Sequence, residues 1–375
     1  MKMSKKIKVY LQYPWKFPDS PYYKSLIENS PTGIKYLNAE KQKGVITNKK
    51  KFLFSNRLKR IIRDIFSYLR ISIPNAHLSP KEDYNLIHCA HCFSKNTDKH
   101  WVTDFESVWQ MFIGMKNKKS IEKVMKILKN PNCKKIMPWT ETTKEDISKI
   151  FPEIEKKIEV IYPAIPLKKT TKRKNKKITI LYATRYFWLK GGVIALEVYK
   201  RLKEKYRNKI ELIFISDVPN EIKEKYPEIE IKDLVTQKEL FRAYEKSDIF
   251  FYPSFVDTFG FGLLEAMSFG LPIVTVNTKN TRTRKEIIEN EKQGLIFDIS
   301  DEVTGRIKKE KGNLIICKEE KLIIERLFQN CCNLIENKKL REKMSKNCIE
   351  EIENGKFSIK KRNKKLKKIY EEALK

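Results

Sequence analysis

From residue 177 to residue 300 the chain alternates short apolar runs with amphipathic stretches, and this alternation restricts the fold more than any other feature. KITILYATR (177–185), KIELIFISD (209–217), DIFFYPS (248–254), LPIVTVN (271–277) and QGLIFDIS (293–300) are short and rich in Ile, Val, Phe and Tyr. Runs apolar on both faces suit a sheet buried on both sides, which means parallel strands covered by helices. Helical stretches fall between them. GGVIALEVYKRLKEKY (191–206) is one, and TQKELFRAYEKS (236–247) opens with Thr236 and Glu239 at capping-box spacing. FGLLEAMSFG (261–270) is stopped by Gly270 and Pro272. The expected class is α/β, a parallel sheet with helices on both faces.

The first half repeats the alternation less cleanly. IKVYLQY (7–13) and YNLIHCAH (84–91) read as strands, 120–129 and 141–151 as helices. KKIEVIYPAIP (156–166) reads as a further strand ending in two prolines, and LKKTTKRKNKK (167–177) as an exposed boundary. A length of 375 residues accommodates two domains, here 1–166 and 167–355, with a closing helix over 356–375 that packs back onto the first.

Charge restricts partners next. Lys and Arg number 79 against 47 acids, a net charge of +32. Such a field favours nucleic acid, anionic lipid or phosphorylated substrates, while the dominance of Ile and Lys throughout offers a purely compositional reading. A nucleic-acid binder would interleave bases with aromatics in one module. The charge is instead spread over helices and the connector, so no nucleic-acid partner is expected. Seven cysteines without a regular framework read as reduced thiols in a cytoplasmic protein. No apolar run reaches the roughly 18 residues of a membrane span, and MKMSKKIKVYLQYP lacks the apolar core of a signal peptide. KKKFLFSNRLKRIIRDIFSYLRI (49–71) sets Phe54, Leu58, Ile61, Ile65 and Leu69 on one helical stripe among Arg57, Lys59, Arg60, Arg63 and Arg70. It suits either a peripheral contact with an anionic membrane surface or a helix packed on its own domain with a solvated basic face.

The stretch PSFVDTFGFGLLEAMSFGLPIV (253–274) carries the chemistry. A strand runs out at Pro253, a loop holds Asp257, and Gly260 and Gly262 flank Phe261 before a helix that bears Glu265. In parallel sheets, ligands sit beyond the carboxyl ends of strands, where helix N-termini favour a phosphate and glycines admit it closely. Asp257 and Glu265 can face the same crevice, and carboxylates there suit the diol of a ribose or hexose. ATRYFWLKGG (183–192) adds Arg185 and Lys190 at the same sheet edge, a clamp for a diphosphate.

Together these elements resemble the family-4 retaining glycosyltransferases of the GT-B fold, the glycosyltransferase group 1 type. That family's donor domain has a Gly-Arg loop ending in Lys-Gly, then a loop and helix with two glutamates eight residues apart. TRYFWLKGG and DTFGFGLLEAMSFGLP match those. RTRKEIIENEKQGLIFD (282–298) is similar to the family's acidic helix and Gly-turn ending, and KFSIKKRNKKLKKIYEEAL (356–374) to its closing helix. The resemblance implies two Rossmann-like domains with parallel sheets facing across a cleft that holds the donor. It implies a nucleotide-diphosphate sugar as co-substrate, no metal and no other cofactor. Arg185 and Lys190 would hold the diphosphate, Glu265 the ribose hydroxyls, and Asp257 the transferred sugar, with backbone N–H groups at Phe261 and Gly262 near phosphate. The acceptor would be a glycan or lipid-linked, and transfer would retain configuration. Asp257 replaces the usual Glu and Thr184 the usual Gly. Other GT-B enzymes, a nucleotide-sugar epimerase or a phosphorylase, share the fold, but a phosphorylase needs a lysine-bound pyridoxal site for which no motif is present.

The family's first domain offers a His after an apolar strand to the transferring sugar. In YNLIHCAHCF, Ala90 stands at the expected place, and strand alternation puts His88 and Ala90 on one face and His91 on the other. His88 is taken as the catalytic candidate and His91 as its alternative. His88, Cys89, His91 and Cys92 also suggest zinc, but four ligands so close on one strand cannot wrap a tetrahedral ion. WVTDFESVWQMF (101–112) adds Asp104 and Glu106, read as a base or an acceptor-hydroxyl contact, or as ordinary loop acids. The family's glycine-rich loop after the first strand is replaced by YPWKFPDSPYYKSL (13–26).

Overall fold

The computed structural model describes residues 6–13, 20–39, 61, 65, 68–69, 71–79, 81–96, 98–168, 177–300 and 318–375. The chain forms two compact units, Met1–Ile165 with Asn354–Lys375, and Pro166–Glu353. Most of the basic 49–71 segment and of the 167–177 connector lies outside the described residues.

In the first unit the strands are β1 (Ile7–Gln12), β2 (Ile34–Leu37), β3 (Ser72–Pro74), β4 (Ala76–His77), β5 (Leu86–Ala90), β6 (Phe93–Ser94), β7 (Trp101–Phe105), β8 (Phe112–Gly114) and β9 (Cys133–Pro138). Five of them form one parallel sheet in the order β2-β1-β5-β7-β9. β3 pairs β8 antiparallel and β4 pairs β6 parallel, as two small ribbons. β5 and β7 have neighbours on both sides and are buried at every position, which explains their unbroken apolar character. The helix Lys118–Lys129 is started by Asn117, whose side chain accepts from the Ser120 N–H, and it buries Ser120, Val124 and Leu128 at four-residue spacing.

The stretch 156–166, expected as a strand, is not one. Pro152–Lys157 forms a 3-10 turn, and the backbone that follows meets β9 through an Ile158 bridge and the N–H groups of Glu159 and Ile161. Pro163 and Pro166 have no N–H to extend the ladder, so pairing stops.

The closing helix Ile359–Ala373 belongs to the first unit. Its Arg362, 2% exposed, donates to Ser25 Oγ (3.0 Å), Ala164 O (3.2 Å) and Asn29 O (2.9 Å). A buried guanidinium satisfied by carbonyls and a hydroxyl ties this helix to Pro21–Glu28 and to the end of the 158–165 segment.

The second unit contains β10 (Ile178–Ala183), β11 (Ile210–Ile215), β12 (Ile231–Lys232), β13 (Ile249–Tyr252), β14 (Ile273–Asn277) and β15 (Gly294–Asp298). All neighbours pair in parallel, in the order β12-β11-β10-β13-β14-β15. Numbered within the unit this is 3-2-1-4-5-6, the doubly wound order, with its reversal between β10 and β13. Gly192–Tyr206 follows β10, and Gln237–Lys246 begins with the Thr236–Glu239 capping box read from the sequence. Among the described residues no helix is long and apolar enough to cross a membrane.

Candidate active site

At the reversal point the chain leaves β10 and β13 side by side, and two loops meet there. The first, residues 184–191, is anchored where Phe187 N–H donates to Asp217 Oδ1 at 2.7 Å. It ends in Gly191 with φ +71°, where a Cβ would stand 2.1 Å from the Pro253 carbonyl oxygen. Only glycine lets the backbone after β10 press on the backbone after β13. The second loop, residues 253–260, is braced from behind by the β14–β15 connection. Thr278 Oγ1 donates to Phe255 O (3.0 Å) and Thr283 Oγ1 to Thr258 O (3.2 Å). It passes Gly260 at φ +109° into the helix Phe261–Ser268.

This contact brings Lys190 and Asp257 together. Lys190 Nζ lies 3.1 Å from Asp257 Oδ1 and donates to Val256 O at 2.8 Å. Asp257 Oδ2 accepts from the Tyr252 hydroxyl at 2.9 Å and faces Arg284 Nη2 at 3.6 Å. Tyr252 is buried, and its phenol is pushed well above the usual range by burial first and by the Asp257 charge second. Arg185 stands half-buried in the same loop as Lys190, beside exposed Tyr186, Trp188 and Leu189. Phe261 and Gly262 open the helix, and Glu265 lies one turn further on, half-buried. A Cβ at Gly262 would meet nothing nearer than the Phe250 ring at 3.8 Å, so packing does not require glycine there. The sequence expectations therefore converge on two loops and one helix N-terminus.

Arg284 is a member of the site that the sequence does not single out. It is fully buried, and its Nη1 donates to Ser254 O (2.7 Å), Thr275 Oγ1 (3.2 Å) and Val276 O. Burial pulls its pKa below the usual guanidinium value, opposed by the Asp257 charge. It sits in the basic stretch Arg282–Lys285, where nothing in the sequence tells which side chain turns inward.

The first unit holds a second polar cluster. His88 is 0% exposed, with Nδ1 2.7 Å from the Tyr370 hydroxyl and Nε2 3.0 Å from Asp104 Oδ2. His91 Nδ1 is 3.3 Å from Asp104 Oδ1, which also accepts from the Tyr23 hydroxyl. Strand alternation would set the two histidines on opposite faces. They meet one carboxylate because His91 lies beyond the end of β5 with φ 55°, outside extended backbone. Asp104 is a fully buried strand residue, not a loop acid. Burial pushes its carboxyl up, but hydrogen bonds and charge from His88 and His91 outweigh this and hold it well below the ordinary range. Glu106 is half-buried and takes a 3.4 Å bond from Gln110 Nε2. The thiols of Cys89 and Cys92 point to Gln12.

Known proteins resemble the chain in sequence and in fold. Residues 165–309 match the family described as glycosyl transferases group 1. A glycosyltransferase of Haemophilus influenzae is 28% identical over 180 residues, 46% of this chain, and the chain spans 50% of that relative's length. A glycosyltransferase from Rickettsia africae superposes with a TM-score of 0.62 at 15% identity, covering 99% of both chains. Anabaena HepE, solved with UDP and glucose, gives 0.57 at 11% identity over 98% of this chain and all of its own. WaaG, a glycosyltransferase of lipopolysaccharide biosynthesis, gives 0.56 at 13% identity over 97% of this chain and 99% of its own. Those structures share the GT-B fold. The chain has that fold, and its residues 165–309 match the group 1 glycosyltransferases.

Proposed function

We propose that the chain is a retaining hexosyltransferase that moves a sugar from a nucleoside-diphosphate donor to a glycan or lipid-linked acceptor. The observation that carries the reading is the meeting of Lys190 and Asp257 at 3.1 Å, at the reversal point and beside the N-terminus of the 261–268 helix. HepE, of the same fold, holds UDP and glucose.

In this reading the donor diphosphate lies against the N–H groups at Phe261 and Gly262, with Arg185 and Lys190 beside it. As the bond to the anomeric carbon breaks, negative charge gathers on the departing phosphate. Fixed donors and cations stabilise that charge more than they stabilise the ground state, and one well-placed group is worth about 10²–10³ in rate. Charge neutralisation is thus assigned to side chains rather than to a metal ion or other cofactor. Glu265 takes the ribose hydroxyls. Asp257 orders Lys190, and its remaining lone pairs are the ones offered to the transferred sugar. In the first unit, His88 has both ring nitrogens engaged inside the protein. Of the two histidines, His91 at the carboxyl end of β5 is assigned the role toward the sugar, with Glu106 toward the acceptor and Asp104 holding both histidines.

The basic 49–71 segment is assigned to an anionic membrane surface, which places the enzyme in the cytoplasm against the membrane's inner face. A binding panel of UDP-, GDP- and ADP-sugars, RNA and anionic vesicles tests these assignments. Stabilisation by one nucleotide sugar is expected, with Lys190→Ala and Glu265→Ala each losing most transfer while staying folded. Stabilisation by RNA alone overturns the reading, and vesicles that do not bind remove its membrane part.

A further inference from the structure

Two cations face one carboxylate at the proposed donor site. Asp257 lies 3.1 Å from Lys190 Nζ and 3.6 Å from Arg284 Nη2, and Tyr252 donates to the oxygen that Arg284 faces. The two cations are held differently. Lys190 is part of the loop between β10 and the 192–206 helix, with its side chain 15% exposed, and a lysine stem turns easily. Arg284 is 1% exposed, and its Nη1 is pinned by Ser254 O, Thr275 Oγ1 and Val276 O. Its Nε and Nη2 are buried with no hydrogen-bond partner among the described residues. A buried guanidinium with unused donors is costly unless an anion shares its field, and Asp257 is the carboxylate it faces. The rings agree with this placement, since Lys190 Nζ and Arg284 Cζ stand 5.7 Å and 5.4 Å from the Tyr252 centroid.

We propose that Arg284 is a positioning residue of the donor site: it carries the charge of Asp257 when Lys190 turns from that carboxylate to a diphosphate. Lys190 rests on Asp257 and Val256 O. When a diphosphate enters, Lys190 moves to it, and the carboxylate left behind is still compensated by Arg284 and Tyr252. Without Arg284, freeing Lys190 would strand a half-buried carboxylate, so Lys190 would stay where it is. The ligand class is the nucleoside diphosphate of the donor, and the inference rests on the donor-site reading above. Arg284 reaches the ligand only through Asp257 and Lys190.

A double-mutant cycle on nucleotide affinity tests this. UDP, GDP and ADP are titrated into the wild type, and the one that binds is titrated into Arg284→Leu, Lys190→Met and the double variant. Arg284→Leu is expected to weaken binding about tenfold, and to change affinity less than twofold in the Lys190→Met background. Arg284→Lys is expected to recover part of the loss, because it keeps the charge but not the fork. If Arg284→Leu does not fold, Tyr252→Phe takes its place in both backgrounds, with a smaller loss that also vanishes in the Lys190→Met background. Losses that simply add in the double variant overturn the proposal, because a merely structural role would act in either background. Unchanged affinity in the single variant overturns it too. A wild type that binds none of the three nucleotides overturns the donor-site reading and this inference with it, whereas binding with additive losses leaves the donor site standing.

Discussion

Asp104 and Asp257 are both carboxylates held by several polar partners, but only one of them is out of reach of solvent. Asp104 is fully buried, and its oxygens are held by two histidines and the Tyr23 phenol. Its carboxyl is held below the ordinary value, so its contribution to stability is complete above the unfolded value and is lost as pH falls through the folded one. Asp104→Asn is therefore expected to cost about 3–5 kcal/mol at pH 7, the cost of breaking a buried pair. The gap to wild type should narrow as pH drops below about 4, where the unfolded carboxylate protonates. Denaturant melts from pH 7 to pH 2 measure this, and a gap unchanged to pH 2 would sink it. The cluster was half legible. The sequence offers His88, His91 and Asp104 as polar residues on apolar strands, but not their meeting. That depends on the backbone turn at His91 and on Tyr370, 282 residues away from His88. Arg284 was illegible for a related reason, since three basic residues within four positions look alike until the β14–β15 connection turns one of them under Asp257.

Strands and helices of the second unit were readable because unbroken apolar runs, the amphipathic stretches between them and a capping box mark them directly in the sequence. The 156–166 segment was not, since β-branched content alone does not tell a ladder from an extended chain whose prolines cannot donate. Two glycines of the site, Gly191 and Gly262, also divide at this scale. Gly191 allows the β10 and β13 loops to touch, and Ala there meets both a positive φ and the Pro253 carbonyl. Gly191→Ala should lower stability by more than about 1 kcal/mol and lose nucleotide affinity as the loops part. Gly262→Ala, with room for its methyl, should keep the melting temperature and lose affinity alone. Calorimetry with thermal melts separates the two, and equal melting temperatures would refute the contrast.

Over the whole molecule, the doubly wound class of the second unit could be expected from strand–helix alternation. The order of its strands could not, because alternation fixes which elements exist and not which strands are neighbours. The closing helix has a consequence for biosynthesis. Tyr370 and Arg362 complete the interior of the first unit, so that interior stays open until residues 359–373 have left the ribosome. The second unit, with both its ends already translated, can fold first, reversing the usual amino-to-carboxyl order. A chain cut at residue 353 should retain one cooperative melt, from 166–353, and leave 1–165 open to protease. Nascent chains stalled at that length should show the same pattern. For this protein a helix made late acts as the quality check on residues made early: a message cut short yields a second unit that folds and a first unit that is degraded.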